Sequence, residues 1–111
     1  IVGDIVETLN SSQDKFDLLI ALDVLIYLGD VKSAFKAVRK FCFPNSLFVF
    51  SIEIQEKSGY SLLKSSRYAH SDRYIMEQTF KLFELVGSEN VKLRKEGDKW
   101  IEGKVYAFKA I

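Results

Sequence analysis

Two runs of apolar residues without polar alternation indicate where the chain forms buried β-strands. The first predicted strand covers residues 16–22 and holds five consecutive apolar residues, and the second covers residues 46–53 and is apolar on both faces at its centre. A strand that is apolar on both faces is typical of a parallel sheet with helices on each side. Each run is short and lies between loop signals, which favours a strand over a buried helix. We therefore predict two central strands of a parallel sheet.

An amphipathic helix is predicted between these strands, because apolar residues recur there at helical spacing. They are Val31, Ala34, Phe35, Val38, Phe41 and Cys42. Asp30 can accept hydrogen bonds from the first backbone N–H groups of this helix, and Pro44 should end it. A strand, a helix and a strand joined by short connections form a right-handed crossover, so the two strands should be parallel neighbours.

A second helix is predicted after a long polar segment, residues 54–70. Ser71 and Asp72 should open it, and Gly87 stands where a helix commonly ends in a left-handed turn. Its buried side is expected to be Ile75, Met76, Thr79, Phe80, Phe83 and Val86.

Two strands at residues 91–96 and 105–108 should complete the fold, with a turn at residues 97–99. Closely connected strands of this kind usually pair antiparallel. The predicted fold class is therefore α/β, with two parallel strands, a terminal antiparallel pair and flanking helices in a single domain over residues 1–111. Six aromatic residues are expected in the core: Phe41, Phe43, Phe48, Phe50, Trp100 and Phe108.

The composition excludes several classes of protein. Apolar residues are 48% of the 111 residues and charged residues are 28%, which excludes a disordered chain. Sixteen Lys and Arg residues and fifteen Asp and Glu residues give a formal net charge of +1. This balance does not indicate binding to nucleic acid or to an anionic membrane. No apolar run approaches the roughly 20 residues of a membrane span, and no secretory signal is present. Cys42 is the single cysteine, so an internal disulfide is excluded and a reduced, cytoplasmic setting is expected.

Several segments together resemble the sequence motifs of a known enzyme family. Residues 3–4 and 16–30 resemble the second half of the S-adenosylmethionine-dependent methyltransferases of the Rossmann-like class, and residues 47–53 resemble their fifth strand. Within this class the sequence is most similar to predicted methyltransferases that are often fused to tetratricopeptide repeats. The segments that match that subgroup are Tyr60-Ser61-Leu62, Arg67-Tyr68-Ala69-His70-Ser71 and Tyr74-Ile75.

The sequence departs from this family in its glycines. Asn45 and Ser46 stand where the family places Gly-Gly, although Asn tolerates the left-handed backbone that such a turn needs. The family holds its cofactor with a Gly-rich turn after the first strand and an acidic residue after the second, and neither is matched, since the six glycines form no Gly-x-Gly. The chain also begins at Ile1 rather than Met. We therefore expect a C-terminal half of the domain, with the N-terminal half encoded elsewhere.

The resemblance implies that three residues bind the cofactor, S-adenosylmethionine. Asp4 matches the position that meets the adenine amino group, and Ile5 packs beside the adenine ring. Asp23 follows the first predicted strand and would lie near the transferred methyl group or the substrate, which also makes it a catalytic candidate. In the alternative interpretation Asp4 and Asp23 only cap the turns that follow them.

Four residues are candidates for binding the substrate: Tyr27, Arg67, Tyr68 and His70. Long loops in compact domains are often functional, and the family places substrate-covering insertions in the segment that holds the last three. His70 is also a candidate catalytic base, whereas the alternative is a structural or capping role before the second helix. Neither a second histidine nor a cysteine cluster is present, so no metal site is expected.

The sequence thus predicts part of a methyltransferase that supplies one wall of the cofactor and substrate cleft. The chain alone should be inactive and should bind the cofactor weakly or not at all. The alternative is an interaction module without catalysis, because the strand at residues 16–22 would expose an unpaired apolar edge that favours association. The expected partner is the missing N-terminal half or a second copy of the chain. An unrelated small α/β binding domain is a third hypothesis.

Overall fold

A computed structural model of the protein describes residues 16–22 and 24–111. In chain order the elements are β1 (Phe16–Ala21), a 3-10 turn (Leu25–Tyr27), α1 (Lys32–Lys40), β2 (Cys42–Ile54), β3 (Tyr60–Leu62), β4 (Tyr68–His70), α2 (Asp72–Thr79), β5 (Phe83–Glu96) and β6 (Lys99–Ala110). Among these residues no helix is long and apolar enough to cross a lipid bilayer.

The described strands form one mixed sheet in which β2 is central. β1 pairs with β2 in parallel, with Leu18 opposite Leu47 and Ile20 opposite Val49. On its other side β2 pairs antiparallel with β6, which in turn pairs antiparallel with β5. The predicted α/β fold, with a parallel pair, a terminal antiparallel pair and flanking helices, is confirmed.

One face of the sheet carries the hydrophobic core, because both described α-helices pack there. The Phe35 ring of α1 lies 5.1 Å from that of Phe50 on β2, measured between ring centroids. Phe50 in turn stacks on Tyr106 of β6 at 5.2 Å. Ile75 of α2 is buried in the same cluster. Cys42 is also buried in it and burial raises the pKa of its thiol, which agrees with the packing role predicted from its place on the apolar stripe.

The opposite face of the sheet is open in the described part of the chain. Leu18 and Ile20 of β1 are 53% and 57% exposed, and Leu47 beside them on β2 is 39% exposed. The expectation that helices cover both faces of these strands is therefore met on one face only. We call the surface formed by Leu18, Ile20, Leu47 and Val49 the open face.

The first helix differs from the prediction at both ends. α1 begins at Lys32, and Asp30 accepts a hydrogen bond from the Lys32 backbone N–H at 2.9 Å without standing at the N-cap itself. The helix ends at Lys40, before Pro44, because the chain has already joined β2 at Cys42. Asn45 has a φ of 73°, so it takes the left-handed backbone expected of it, and the β1–β2 register shifts across this segment.

The second helix is much shorter than predicted. α2 ends at Thr79, and Lys81 turns the chain with a φ of 67°. Phe83 is buried as the first residue of β5, whereas Phe80 and Val86, predicted on the buried side of a helix, are 71% and 60% exposed. Pairing with β6 along the whole length of β5 replaces the helix, and Gly87 pairs with Ala107 in that ladder.

Other local predictions were also wrong. The segment at residues 54–70 contains the short hairpin β3–β4 and is not a loop throughout. Met76, Phe43 and Trp100 are partly exposed rather than buried. The Trp100 ring lies under the ammonium groups of Lys92 and Lys95, 5.9 and 5.7 Å from its centroid, so these cations cover it in place of a core.

Gly103 is required where three strands meet. A Cβ at this position would lie 2.6 Å from the carbonyl oxygen of Ile52 on β2 and would also collide with the Leu93 side chain on β5. Leu93 lies where the β5–β6 register shifts between Lys92 and Arg94, so it covers the space that a side chain at residue 103 would fill.

We predict that Gly103→Ala destabilises the protein by about 2 kcal/mol, because a backbone carbonyl cannot move aside as a side chain can. The matched control is Gly87→Ala, which is also in the β5–β6 ladder but meets nothing within 4 Å. The control should change the free energy of unfolding by less than about 0.5 kcal/mol. Urea denaturation of both variants tests this, and equal midpoints would contradict the packing described for Gly103.

Candidate functional site

The carboxyl ends of β1 and β2 lie at the same edge of the sheet, because the two strands are parallel. Ligands of open α/β sheets bind beyond this edge. After β1 the chain continues through the 3-10 turn to Asp30, and we call residues 24–30 the cleft loop. β4 pairs with the last residues of β2, Glu53 and Ile54, on the side where β1 also pairs. The β3–β4 hairpin therefore stands beyond the end of β1, beside the cleft loop.

His70 joins the hairpin to the cleft loop. Its Nε2 lies 2.7 Å from the carbonyl oxygen of Leu28 and 3.0 Å from that of Gly29. Both partners are acceptors, so Nε2 carries the proton and donates it to them. The side chain is fully buried, and its Nδ1 has no hydrogen-bond partner among the described residues. Burial lowers the pKa of His70, and the two backbone hydrogen bonds oppose that shift.

Three tyrosines surround this junction. Tyr60 and Tyr68 pack against Gly29 so closely that a Cβ there would lie 2.7 and 2.8 Å from their rings. Tyr74 of α2 stacks on His70, with ring centroids 6.0 Å apart. The cleft loop thus needs glycine at residue 29, because only an absent side chain admits both rings.

Tyr74 holds the end of the cleft loop at the start of α1. Its hydroxyl oxygen accepts a hydrogen bond from the Val31 backbone N–H at 3.1 Å and donates to Asp30 Oδ1 at 3.3 Å. Burial and then the nearby Asp30 carboxylate raise the pKa of Tyr74 to about 12. The hydroxyl therefore stays protonated at neutral pH, and α2 fixes where the cleft loop enters α1.

Arg67 belongs to a network of charged side chains. It pairs with Glu96 at the end of β5, and Arg94 Nε lies 3.4 Å from the same Glu96 oxygen. Arg94 Nη2 also donates to Glu53 Oε1 at 2.6 Å. Glu53 is buried at the carboxyl end of β2, so these ion pairs tie the hairpin, β5 and β2 together. Sequence analysis did not find Glu53, Arg94 or Glu96, because the residues of the network are 29 and 41 positions apart.

A second feature that sequence analysis missed is a polar groove of about 780 Å³ between the end of β2 and the start of α2. Gln55, Glu56 and Glu102 line it together with Asp72. Asp72 Oδ1 accepts hydrogen bonds from Lys104 Nζ at 2.8 Å and from the buried Tyr106 hydroxyl at 2.6 Å. These two donors lower the pKa of Asp72, so it is ionised at neutral pH. Its charge is already paired within the fold.

The predicted site residues fall into two groups. Tyr68 and His70 contact the cleft loop just after Tyr27, and Tyr27 itself is 48% exposed. Arg67 lies in the same hairpin but is bound to Glu96. Asp4, Ile5 and Asp23 lie outside the described residues, so their predicted roles stay predictions, as do the substrate contacts of the other four. Across residues 16–22 and 24–111, no group of three or more His, Cys, Asp or Glu side chains could hold a metal ion.

Comparison with solved structures identifies the fold. Over 90% of this chain, the N-methyltransferase NodS from Bradyrhizobium japonicum WM9, in complex with S-adenosyl-L-homocysteine, superposes with a TM-score of 0.66 at 19% identity. An S-adenosylmethionine-dependent methyltransferase from Methanosarcina mazei superposes over 93% of the chain with a TM-score of 0.69 at 13% identity. Magnesium protoporphyrin IX methyltransferase from Synechocystis PCC 6803 superposes over 93% with a TM-score of 0.66 at 14% identity.

These structures show that the chain has the fold of Rossmann-like methyltransferases. The chain spans 48% of the NodS and Synechocystis proteins and 64% of the Methanosarcina protein, which is less than two thirds of each. The sequence matches no protein-family model and no curated protein sequence.

We predict that Glu53→Gln lowers the free energy of unfolding by about 2 kcal/mol, because a neutral amide replaces the buried carboxylate whose charge balances the Arg94 guanidinium. Glu84→Gln is the matched control, since Glu84 faces Lys109 at 3.8 Å on the exposed surface. An exposed pair of this kind contributes about 0–1 kcal/mol. Both values come from urea denaturation at pH 7, and a Glu53→Gln variant as stable as the Glu84→Gln variant would contradict the buried pair.

Proposed function

We propose that this chain is the C-terminal part of an S-adenosylmethionine-dependent methyltransferase and supplies one wall of its cofactor and acceptor cleft. The shared fold supports this, together with the fact that the chain spans about half of NodS and of the Synechocystis enzyme. The motif Arg67-Tyr68-Ala69-His70-Ser71 supports the subgroup that is often fused to tetratricopeptide repeats, and we propose a cytoplasmic enzyme.

The observation that carries the proposal is the open face. All-parallel sheets occur almost only in α/β proteins with both faces covered, and β1 and β2 form a parallel pair within this mixed sheet. Here α1 and α2 cover one face, while Leu18 and Ile20 of β1 remain more than half exposed on the other. Within residues 16–22 and 24–111, no layer covers this apolar face of the parallel pair. We propose that the N-terminal half of the enzyme provides this layer and the strand beside β1.

The described residues suit one side of the proposed cofactor. Leu22 and Tyr27 are both about half exposed beyond the end of β1 and offer apolar and aromatic surface. An aromatic face attracts a cation such as a sulfonium, and an apolar surface suits the flat adenine ring. Asp30, the described carboxylate in the cleft loop, is already bonded to Lys32 and Tyr74. The ribose and the amino acid group would therefore be held mainly by the other half.

Roles in the reaction follow from these positions. When bound, S-adenosylmethionine supplies a methyl group that is already activated for in-line displacement by a lone pair of the acceptor. The protein contributes by aligning the two reactants, and alignment alone can supply a large part of an enzyme's rate acceleration. We propose that Asp4 and Ile5 contact the adenine, that Asp23 faces the methyl group or the acceptor, and that Tyr27 and Tyr68 bound the acceptor site. Arg67 would affect acceptor binding indirectly, because its ion pair with Glu96 holds the β3–β4 hairpin against β5.

We predict that the 111-residue chain binds S-adenosylmethionine at least about tenfold more weakly than the polypeptide that includes the upstream coding region, because one wall of a cleft makes only part of the contacts. Calorimetric titration of the two proteins measures this. Within the longer polypeptide, Tyr27→Ala should weaken binding, while Phe80→Ala, an exposed aromatic residue after α2, should leave it unchanged. If the 111-residue chain binds S-adenosylmethionine with low-micromolar affinity, it does not supply only one wall of the cleft. If the longer polypeptide does not bind S-adenosylmethionine, the proposed methyltransferase function is wrong.

A second candidate function is an interaction module, and the same strand supports it. The edge of β1 away from β2 carries backbone groups that can pair with another strand, and Leu18 and Ile20 add exposed apolar surface beside that edge. Such an edge is a template for association. In this alternative the chain pairs with itself or with a separate N-terminal half, and no catalysis is required.

We predict that the 111-residue chain self-associates at high micromolar concentration and that Ile20→Lys makes it monomeric, since a lysine on an edge strand opposes strand addition. Phe80→Lys changes an even more exposed apolar residue, 71% against 57%, between α2 and β5 and outside β1, and should associate like the wild-type chain. Sedimentation velocity distinguishes these species. A monomeric wild-type chain, or an equal response to both substitutions, would exclude association through β1.

A further inference from the structure

We propose that His70 is a positioning residue, whose neutral ring holds the cleft loop in place and whose protonation releases that loop. The inference rests on the proposed function only in treating residues 24–30 as part of a cleft. The hydrogen bonds and the burial on which it depends belong to the described chain itself.

The geometry assigns His70 to the loop rather than to a substrate. Its Nε2–H is shared by the carbonyl oxygens of Leu28 and Gly29, which immediately follow Tyr27. No part of the side chain is exposed to solvent. A ring whose donor nitrogen is bonded to the loop and whose surface is covered is better placed to position the loop than to bind an acceptor molecule. It can hold the loop that carries Tyr27.

Nδ1 makes this anchor sensitive to protonation. In the neutral ring Nδ1 is only a hydrogen-bond acceptor. Burying an acceptor without a partner costs less free energy than burying an N–H and a positive charge without partners. Protonation would place both a positive charge and an N–H at Nδ1, where no described residue accepts a hydrogen bond. The protonated ring must therefore move towards water, and this movement breaks its bonds to Leu28 and Gly29.

The neighbours of His70 do not offset that cost. Tyr60 of β3 and Tyr74 of α2 face the ring, with centroids 6.2 and 6.0 Å away, and neither side chain has a carboxylate that could pair with a charged imidazole. Directly after β2 the contact is a backbone one, in which Gln55 N–H donates to the His70 carbonyl at 3.0 Å. The nearest carboxylate in the cleft loop is Asp30, which is engaged by Tyr74 and by the Lys32 N–H. Tyr68 packs on Gly29 in the same cluster.

The direction of the pH effect follows from the lowered pKa of His70. A histidine whose pKa is lower in the closed loop than the ordinary 6.5 binds more protons in the open state. The loop is therefore fully held above about pH 6.5, and opening becomes more favourable as pH falls below that value. Between 6.5 and the lower pKa of the closed state, the opening constant should rise about tenfold per pH unit.

The experiment is amide hydrogen exchange on the 111-residue chain between pH 5 and pH 7.5. The reporting amides are those of Tyr27 and Leu28, which donate within the 3-10 turn to Val24 and Leu25. Their protection factors, already corrected for intrinsic exchange, should fall below pH 6.5. The protection factors of Val49 and Phe50 in β2 should stay constant over the same range. His70 is the single histidine of the chain, so its own titration is read directly from its ring proton in NMR spectra.

Two variants separate the anchor from general stability. His70→Gln places an amide N–H near the position of Nε2 without a titrating group, so the loop should stay protected and lose its pH dependence. Tyr74→Phe removes the bond to Val31 and should loosen the end of the loop equally at every pH. Loop protection in the wild-type chain that does not follow the His70 titration would overturn the proposal. So would a His70→Gln variant that keeps the pH dependence.

Failure of this inference is distinguishable from failure of the proposed function. The exchange experiment needs no cofactor, so its result stands whether or not methyl transfer is found. If the longer polypeptide binds S-adenosylmethionine, its affinity should fall between pH 7.5 and pH 5.5 in the wild type and stay level in His70→Gln. Equal pH dependence in both proteins would show that the loop does not gate binding through His70.

Discussion

The parallel pairing of β1 with β2 determines where the other described elements lie. Ile20 sits opposite Val49 and Ala21 opposite Phe50, so both strands end at the same edge. The chain leaves β1 into the cleft loop and leaves β2 into the β3–β4 hairpin, and the two segments therefore meet. Their contact is then fixed by short-range chemistry, in which Gly29 admits Tyr60 and Tyr68 and His70 bonds the loop carbonyls.

A segment could be predicted from the sequence where its local hydrophobic pattern agrees with its place in the fold. It could not be predicted where long-range pairing overrides that pattern. Short apolar stretches predict strands at residues 16–22 and 46–53, and β1 and β2 form there because their parallel pairing agrees with the local pattern. Residues 80–87 show the opposite outcome, since Phe80, Phe83 and Val86 recur at helical spacing. Long-range pairing with β6 overrides that local periodicity, and a single sequence gives no direct measure of such pairing.

The same limit applies to the candidate site. Tyr27, Tyr68 and His70 were singled out from a loop and a motif, and the structure places Tyr68 and His70 against the cleft loop just after Tyr27. Sequence analysis could not show that Arg67 is bound by Glu96 or that His70 is used by two backbone carbonyls, because carbonyl groups leave no trace in the sequence. A motif identifies which side chains matter, whereas burial and partners decide whether they contact a ligand or position the residues that do.

Among the described strands β1 pairs only with β2, and its other edge borders both the open face and the proposed cleft. A strand added beside β1 would run next to Leu22 and bring its own end close to Tyr27, so whatever pairs with β1 would also build the opposite wall of the cleft. A ligand that contacts both walls stabilises the paired state over the separate halves by mass action. Under the proposed function, pairing and ligand binding would be linked rather than alternative, and the cleft loop would be the described segment through which one affects the other.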